Sequence, residues 1–383
     1  MVQNKNSEVK LVTVDPGDRG LELIREVLES GHLVQGEKVE RFEQGVQNLL
    51  GQSPAAGGAS AVNAAAVNSG TAALLLALEA LGIGPGDTVL VPAFTFPSTA
   101  NVVEKVGARV RFVDVDENTF NIDPEDLKDK CTDECRAVIP VHLFGVPADM
   151  DRVIAFAGGK GLSVIEDAAC ALGASLGGRM CGTIGDAGCF SFHPRKLVTT
   201  GEGGMVVSTR RELIDRIKSL RDHGFDVTSQ GRNIRTPSLN YRLSDLHAAV
   251  GLASLEGSET EIMTRYSLAA LYDDLLGRLE GVRLQGAPAG CLRVYQTYCV
   301  VLTGGKPRGE VIKGLRSQGV EATIGTYAVH SLLYYREKYD LKPDDFPVAS
   351  RLGERTLALP MHSRMAESDV KRVVESLERT LSG

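Results

Sequence analysis

Apolar residues recur along this chain with two different periods, and the change from one to the other divides it. Between Gly17 and Ser30 the positions Leu21, Leu23, Ile24, Val27 and Leu28 recur at helical spacing, and Val39 to Leu50 repeats the pattern with Phe42, Val46 and Leu49. Two helices are predicted there, after a polar lead-in. Gly51 to Asn63 (GQSPAAGGASAVN) carries no periodicity and predicts an exposed Gly/Ala/Ser-rich loop. Over residues 64–210 short apolar runs alternate with helical stretches. Seven strands are predicted, at Ala64–Asn68, Thr88–Pro92, Arg109–Val115, Arg136–His142, Ser163–Asp167, Ala187–Phe192 and Met205–Ser208. Helices are predicted from Ser69-Gly70-Thr71 through Leu81, over Ser98–Val106, Pro124–Asp129 and Asp149–Ala157, and after the last strand over Arg211–Leu220. Short buried strands separated by helices imply an α/β architecture, a mostly parallel seven-stranded sheet covered on both faces.

Beyond this block the texture changes again. Residues 221–242 are polar, with Arg221, Arg232, Arg235 and Arg242, and predict a long functional loop. Leu243 to Leu276 is strongly helical and starts the crossing into a smaller α+β domain. That domain should contain a strand at Gln296–Leu302, a helix at Arg308–Gln318, a loop at Gly325–Tyr339 and a closing helix at Glu367–Leu381. We expect a large domain over residues 1–255 and a small C-terminal domain over 256–383.

Composition narrows the function classes. With 383 residues, 43% hydrophobic and 24% charged, the chain has the make-up of a soluble globular enzyme of more than one core. A formal net charge of −7 argues against a nucleic-acid partner. No apolar run approaches the roughly 20 residues that span a bilayer, so no membrane association is expected. The opening Met-Val-Gln-Asn-Lys-Asn-Ser-Glu lacks the apolar region of a signal peptide, which makes a cytoplasmic location the expectation. Seven cysteines without a CxxC pair suit neither a disulfide framework nor a zinc site, and no metal is expected.

The candidate chemistry centres on Asp186 to Gly204, a buried strand that ends in a turn delivering Lys196, with glycines behind it. A lysine at the edge of a sheet is suited to carrying pyridoxal 5'-phosphate (PLP), whose phosphate, ring face and pyridine nitrogen the protein must also hold. Ser69-Gly70-Thr71 lies between a strand and a helix, where free N–H groups and the helix dipole favour a phosphate; a simple N-cap by Ser69 or Thr71 is the mundane alternative. Asp167 ends a buried strand, on the side where open α/β sheets place ligands, and a carboxylate there keeps a pyridine nitrogen protonated. Phe96 follows another strand and offers a ring to stack on the cofactor, although a core phenylalanine would look the same. Taken singly, Lys196 and Asp167 also read as turn residues in water. All four follow strands of one sheet, and that joint placement carries the reading.

These residues lie within longer motifs. Asn68-Ser-Gly-Thr-Ala-Ala-Leu, Val91-Pro-Ala-Phe-Thr-Phe, Val141-His-Leu-Phe-Gly, Glu166-Asp-Ala-Ala, Gly188-Cys-Phe-Ser-Phe-His-Pro-Arg-Lys, Thr199-Thr-Gly-Glu-Gly-Gly and Asn240-Tyr-Arg-Leu-Ser-Asp together resemble the DegT/DnrJ/EryC1/StrS sugar aminotransferase family. The resemblance implies the aspartate-aminotransferase (type I) PLP fold. It implies Lys196 as the Schiff-base lysine, which also moves the proton, Asp167 as pyridinium partner and Phe96 on the ring face. Gly70, Thr71 and Ser191 are implied on the phosphate, and Asn240 on the phosphate of the neighbouring subunit of a homodimer. PLP would alternate with its amine form, PMP. The implied reaction moves an amino group from glutamate or glutamine to the 3-keto or 4-keto group of a nucleotide-linked deoxysugar. Keto-cyclitols are the alternative substrate within the family, and a regulator that binds PLP or a sugar nucleotide without turnover is the alternative outside catalysis. His193, Tyr327, His330 and the basic residues of the 221–242 loop are candidate substrate contacts. The sequence departs from the family at Cys170, where a glutamine is frequent, and at Arg195 and Leu197 beside the lysine.

Overall fold

The structure, a computed structural model, describes residues 8–51, 61–228 and 231–383. The polar residues 1–7, and residues 52–60 of the loop expected over Gly51–Asn63, lie outside the described residues. The seven expected strands assemble into one sheet: β1 (Asn63–Val67), β2 (Thr88–Pro92), β3 (Arg109–Val113), β4 (Cys135–Val138), β5 (Ser163–Asp167), β6 (Ala187–Ser191) and β7 (Gly204–Ser208). Their order is β1-β7-β6-β5-β4-β2-β3. Neighbours are parallel from β6 through β3, while β7 runs antiparallel to both β1 and β6.

Burial explains why these runs read as continuous apolar stretches. On β1, Ala65 and Val67 enter the core on one face of the sheet while Ala64 and Ala66 enter the core on the other. Helices α1 (Gly17–Ser30) and α2 (Glu37–Gly51) pack with α8 (Asp245–Glu256) on the second face. On the first face lie α3 (Gly70–Ala80), α4 (Ser98–Lys105) and α7 (Arg211–Leu220). In α7 the buried Leu213, Ile214, Ile217 and Leu220 form one stripe, with Arg211, Glu212 and Asp215 exposed opposite. Each such buried side chain contributes roughly 1.5–3 kcal/mol. The shorter α5 (Pro124–Lys130) and α6 (Met150–Lys160) cover the β3–β4–β5 region.

Three sequence expectations change. The helical run 243–276 is two helices, α8 and α9 (Ser258–Leu276), with Gly257 between them. The 221–242 loop contains a hairpin, Phe225–Thr228 with Gly231–Ile234. The loop at Gly325–Tyr339, which comes after α10 (Arg308–Ser317), contains the two-residue strand Tyr327–Ala328, paired with Phe94–Thr95, and the helix α11 (Leu333–Tyr339). The last two share a reason: two-residue pairings and polar hairpins leave no periodicity long enough to read.

The C-terminal part builds its own antiparallel sheet, β8 (Val282–Leu284), β9 (Tyr298–Leu302), β10 (Thr323–Ile324) and β11 (Thr356–Leu359), in the order β8-β9-β11-β10. Helices α9, α10 and α13 (Glu367–Ser382) pack on it, and α12 (Pro347–Arg355) leads into β11. The core includes Tyr272 stacked on Tyr298 with ring centroids 4.5 Å apart. The N-terminal segment joins this sheet region, since Val9 N–H donates to Gly319 O and Glu321 N–H to Val9 O, both at 2.9 Å. Among the described residues no helix is long and apolar enough to cross a membrane.

Candidate active site

Side chains alternate along β5, so Glu166 and Asp167 serve opposite faces of the sheet. Glu166 is fully buried and accepts from the N–H groups of Gly182 (2.8 Å), Ile184 and Gly185 (both 2.7 Å). It also accepts from His142 Nε2 at 2.9 Å; His142 Nδ1 in turn accepts the Ala148 N–H at 3.0 Å, which leaves the imidazole proton on Nε2. Glu166 is therefore a structural anchor. Asp167, 5% exposed, has a thinner set of partners. Its Oδ2 accepts from Thr99 Oγ1 at 2.8 Å and its Oδ1 from Ala169 N–H at 3.2 Å. Burial pushes the Asp167 carboxyl above its usual range, against the pull of the Thr99 and Ala169 hydrogen bonds and the more distant Lys196. Among the described residues no cation is hydrogen-bonded to the carboxylate.

The lysine is delivered by a tight turn. Lys196 N–H donates to His193 O at 2.8 Å across His193-Pro194-Arg195-Lys196, with proline at the position that favours its fixed φ. Thr199 Oγ1 and Thr200 N–H both donate to Phe192 O at 2.9 Å and close the loop behind it. Lys196 is half-buried, and its Nζ lies 3.1 Å from Cys170 Sγ, in the turn that follows Asp167. Cys170 thus meets the lysine itself. His193 is half-buried with Nε2 3.9 Å from Glu202 Oε1, and burial lowers its pKa below the usual value.

The third element is the start of α3. Ser69 caps it by accepting the Ala72 N–H at 3.0 Å, so the capping reading holds for Ser69. The N–H groups of Gly70 and Thr71 belong to the first turn, where no intrahelical acceptor exists. Gly70 has to be glycine because a Cβ there would lie 2.7 Å from Ser191 Cβ. That close approach brings the end of β6 against the helix start. Thr71 Oγ1 donates to Ser98 Oγ at 3.1 Å, and the next residue, Thr99, reaches Asp167.

Contacts therefore run from Ser191 to Gly70 and Thr71, through Ser98 and Thr99 to Asp167, and by the adjoining turn to Cys170 and Lys196. The donor set fits PLP: first-turn N–H groups and hydroxyls for a phosphate, a buried acid with no hydrogen-bonded cation among the described residues for a pyridine nitrogen, and a reachable amine for an aldehyde.

The other expected residues divide. Phe96 is 59% exposed, with its ring 6.2 Å from that of Tyr327, so the structure brings these two together at the β-pair of Phe94–Thr95 with Tyr327–Ala328. Asn240 is exposed beside Asn68, whose Nδ2 donates to its carbonyl at 3.5 Å. His330 is a correction: it is 0% exposed, packed 4.8 Å from the Phe346 ring with Nε2 3.0 Å from Ser350 Oγ, and belongs to the core. Arg221 is a second correction, buried with Glu43 and donating to Ala66 O at 2.8 Å. The remaining loop arginines pair locally, Arg232 and Arg242 with Asp222 and Arg235 with Asp226. Sequence reasoning missed Ser98, Thr99 and Gln296. Ser98 stands at a helix start, which is a usable signal; Thr99 and Gln296 carry none, because only the fold aims them.

Comparison with known proteins places this geometry. The model for the DegT/DnrJ/EryC1/StrS aminotransferase family matches residues 16–378. The spore coat polysaccharide biosynthesis protein SpsC of Bacillus subtilis is 35% identical over 396 residues, covering 100% of both chains. The GDP-perosamine synthase of Caulobacter vibrioides is 38% identical over 329 residues, covering 83% of this chain and 86% of that protein. The crystal structure of the aminotransferase TlmJ from Streptoalloteichus hindustanus superposes with a TM-score of 0.88 at 30% identity, covering 98% of this chain and 99% of that one.

Proposed function

The chain belongs to the DegT/DnrJ/EryC1/StrS aminotransferase family and is a PLP-dependent sugar aminotransferase; on that premise we propose that it aminates the 3-keto or 4-keto group of a nucleotide-linked deoxysugar, with glutamate or glutamine as donor. The observation that carries the reading is the run of contacts joining Ser191, Gly70, Thr71 and Asp167 to the Lys196 turn. The name of the GDP-perosamine synthase relative supports a nucleotide-linked sugar.

When bound, PLP supplies an electron sink that makes the hydrogen on an amine-bearing carbon removable. In our assignment Gly70, Thr71 and Ser191 hold its phosphate and Phe96 covers its ring. Asp167 keeps a proton on the ring nitrogen, which its burial with no hydrogen-bonded cation among the described residues suits. Lys196 would hold the cofactor through its aldehyde, and its Nζ, when free, would take the proton from the donor's Cα and return one to the sugar carbon that accepts the amine. His193, half-buried, and Tyr327, exposed, are assigned to the substrate. We divide the chain into a large PLP-binding domain, residues 1–255, and a small domain, 256–383. We further infer a homodimer in which Asn240 reaches the neighbouring subunit's phosphate; the adjacent Leu239, 66% exposed, supports a covered surface there.

The test loads the protein with PLP, reduces it with borohydride and maps the label by peptide mass spectrometry, then offers NDP-4-keto and NDP-3-keto sugars with glutamate or glutamine. We expect label on Lys196 and amino-sugar product. Label persisting in Lys196→Ala sinks the lysine assignment, and amination of keto-cyclitols alone replaces the substrate class.

A further inference from the structure

The Lys196 turn is gripped by a side chain that comes from the far end of the sequence. Gln296, 6% exposed, precedes β9 of the small sheet. Its Oε1 accepts the Leu197 N–H at 2.8 Å, and its Nε2 donates to the Arg195 carbonyl. The carboxamide thus pairs with the main chain on both sides of Lys196. One amide therefore satisfies both the carbonyl before the lysine and the N–H after it, supplying one donor and one acceptor. Among the described residues neither group has another partner.

Gln296 is itself held firmly. Arg265, 4% exposed, donates from Nη1 to Tyr295 O at 3.0 Å and Gln296 O at 3.3 Å, while its Nε is paired with Glu261. Val294 N–H donates to Gly145 O at 3.1 Å. Gly145 has φ +92, and a Cβ there would lie 1.7 Å from Val294 O, so the 294–296 segment sits directly on the loop after β4. The same built Cβ would lie 3.0 Å from Cys170 O, which places that loop against the turn whose thiol meets Lys196.

We propose that Gln296 is a positioning residue for Lys196, its carboxamide clamping the peptide groups on either side of the lysine so that Nζ is held where the cofactor's aldehyde binds. The inference rests on the assignment of Lys196 as the residue joined to PLP. A side chain that merely satisfied two buried peptide groups would affect every ligand of the site equally; a clamp on the lysine affects only a ligand that bonds to it. PLP and PMP make that distinction, because PMP carries an amine in place of the aldehyde and cannot bond to Lys196.

The experiment measures, by fluorescence titration of the apo protein, Kd for PLP and for PMP in the wild type and in Gln296→Met, which keeps side-chain length and volume but neither hydrogen bond. Losing one or two hydrogen bonds should raise Kd for PLP about tenfold and leave Kd for PMP within about twofold. An equal rise for both ligands, or no change for either, overturns the proposal. If Gln296→Met shows no cooperative thermal transition, Gln296→Glu takes its place: it keeps the acceptor for Leu197 N–H, loses the donor to Arg195, and should show a smaller rise confined to PLP. A wild type that gains no borohydride-fixed label refutes the functional reading instead, so the two failures are separate.

Discussion

Replacing Asp167 by asparagine should separate what this residue does for the cofactor from what it costs the fold. In our assignment the carboxylate of the loaded enzyme faces a ring nitrogen that must stay protonated. Two unit charges about 4 Å apart at an effective dielectric near 20 interact by about 4 kcal/mol. At about 1.4 kcal/mol per factor of ten, kcat/KM should fall about 100- to 1000-fold. In the apo protein the sign reverses. Burial raises the folded-state pKa of Asp167 above its value of 3.8 in the unfolded chain, so the folded state binds that proton more readily. The stability this group contributes is full below the unfolded pKa and is lost as pH rises through the folded one. Asparagine still offers an oxygen to Thr99 Oγ1 and gives up the 3.2 Å bond from Ala169, a loss of about 1 kcal/mol that does not depend on pH. The stability of apo Asp167→Asn relative to apo wild type should therefore increase as pH rises from acid to neutral. Urea denaturation at a series of pH values gives that difference, and steady-state kinetics gives the activity. A difference that stays flat or declines with pH refutes the burial argument. A kcat/KM within tenfold of wild type refutes the assignment to the ring nitrogen.

Two further outcomes test the surroundings of the site. Gly145→Ala sets a methyl against Val294 O at a positive φ and should destabilise the protein by about 3 kcal/mol in urea. Gly158→Ala, inside α6 with nothing within 4 Å, should stabilise it by about 0.5–1 kcal/mol, and equal effects at the two sites would contradict the packing described. His330→Leu removes a buried imidazole whose Nδ1 has no hydrogen-bond partner among the described residues, and KM for the sugar should not change. Burial holds the His330 pKa below 6.5, so the unfolded chain takes up that proton first and wild-type stability is lost as pH falls below that value. Thermal melts of the variant should show a shallower acid loss, and a KM that rises instead would restore His330 to the substrate site.

The large-sheet strands were readable because most of their residues are buried, with Arg109 and Arg111 on β3 and Arg136 on β4 among the exceptions, and a short apolar run between turn signals is the direct trace of such burial. Lys196, Asp167 and Gly70 were picked out for a related reason: each stands at or after the end of a strand, and strand ends of an open α/β sheet share one edge; Ser191 came only from the family resemblance. The substrate candidates were harder. Tyr327 and His330 stand three residues apart in one loop, yet Tyr327 lies beside Phe96 while His330 faces Ser350 and Phe346. Arg221 and Arg232 belong to one polar stretch, yet Arg221 is enclosed with Glu43 and Arg232 pairs with Asp222 near the surface. Spacing along an irregular segment carries no information about which side chains turn inward.

By itself the sequence determined the layered α/β architecture, the strand that carries the acid and the turn that carries the lysine, because periodic burial and turn chemistry act over a few neighbouring residues. Only the tertiary structure decided that Thr99 would hold Asp167, that Cys170 would meet Lys196, and that Gln296 would grip the lysine's turn from 100 positions away. Those contacts join segments remote along the chain. Their partners are chosen by how sheets and helices pack, which no local pattern encodes.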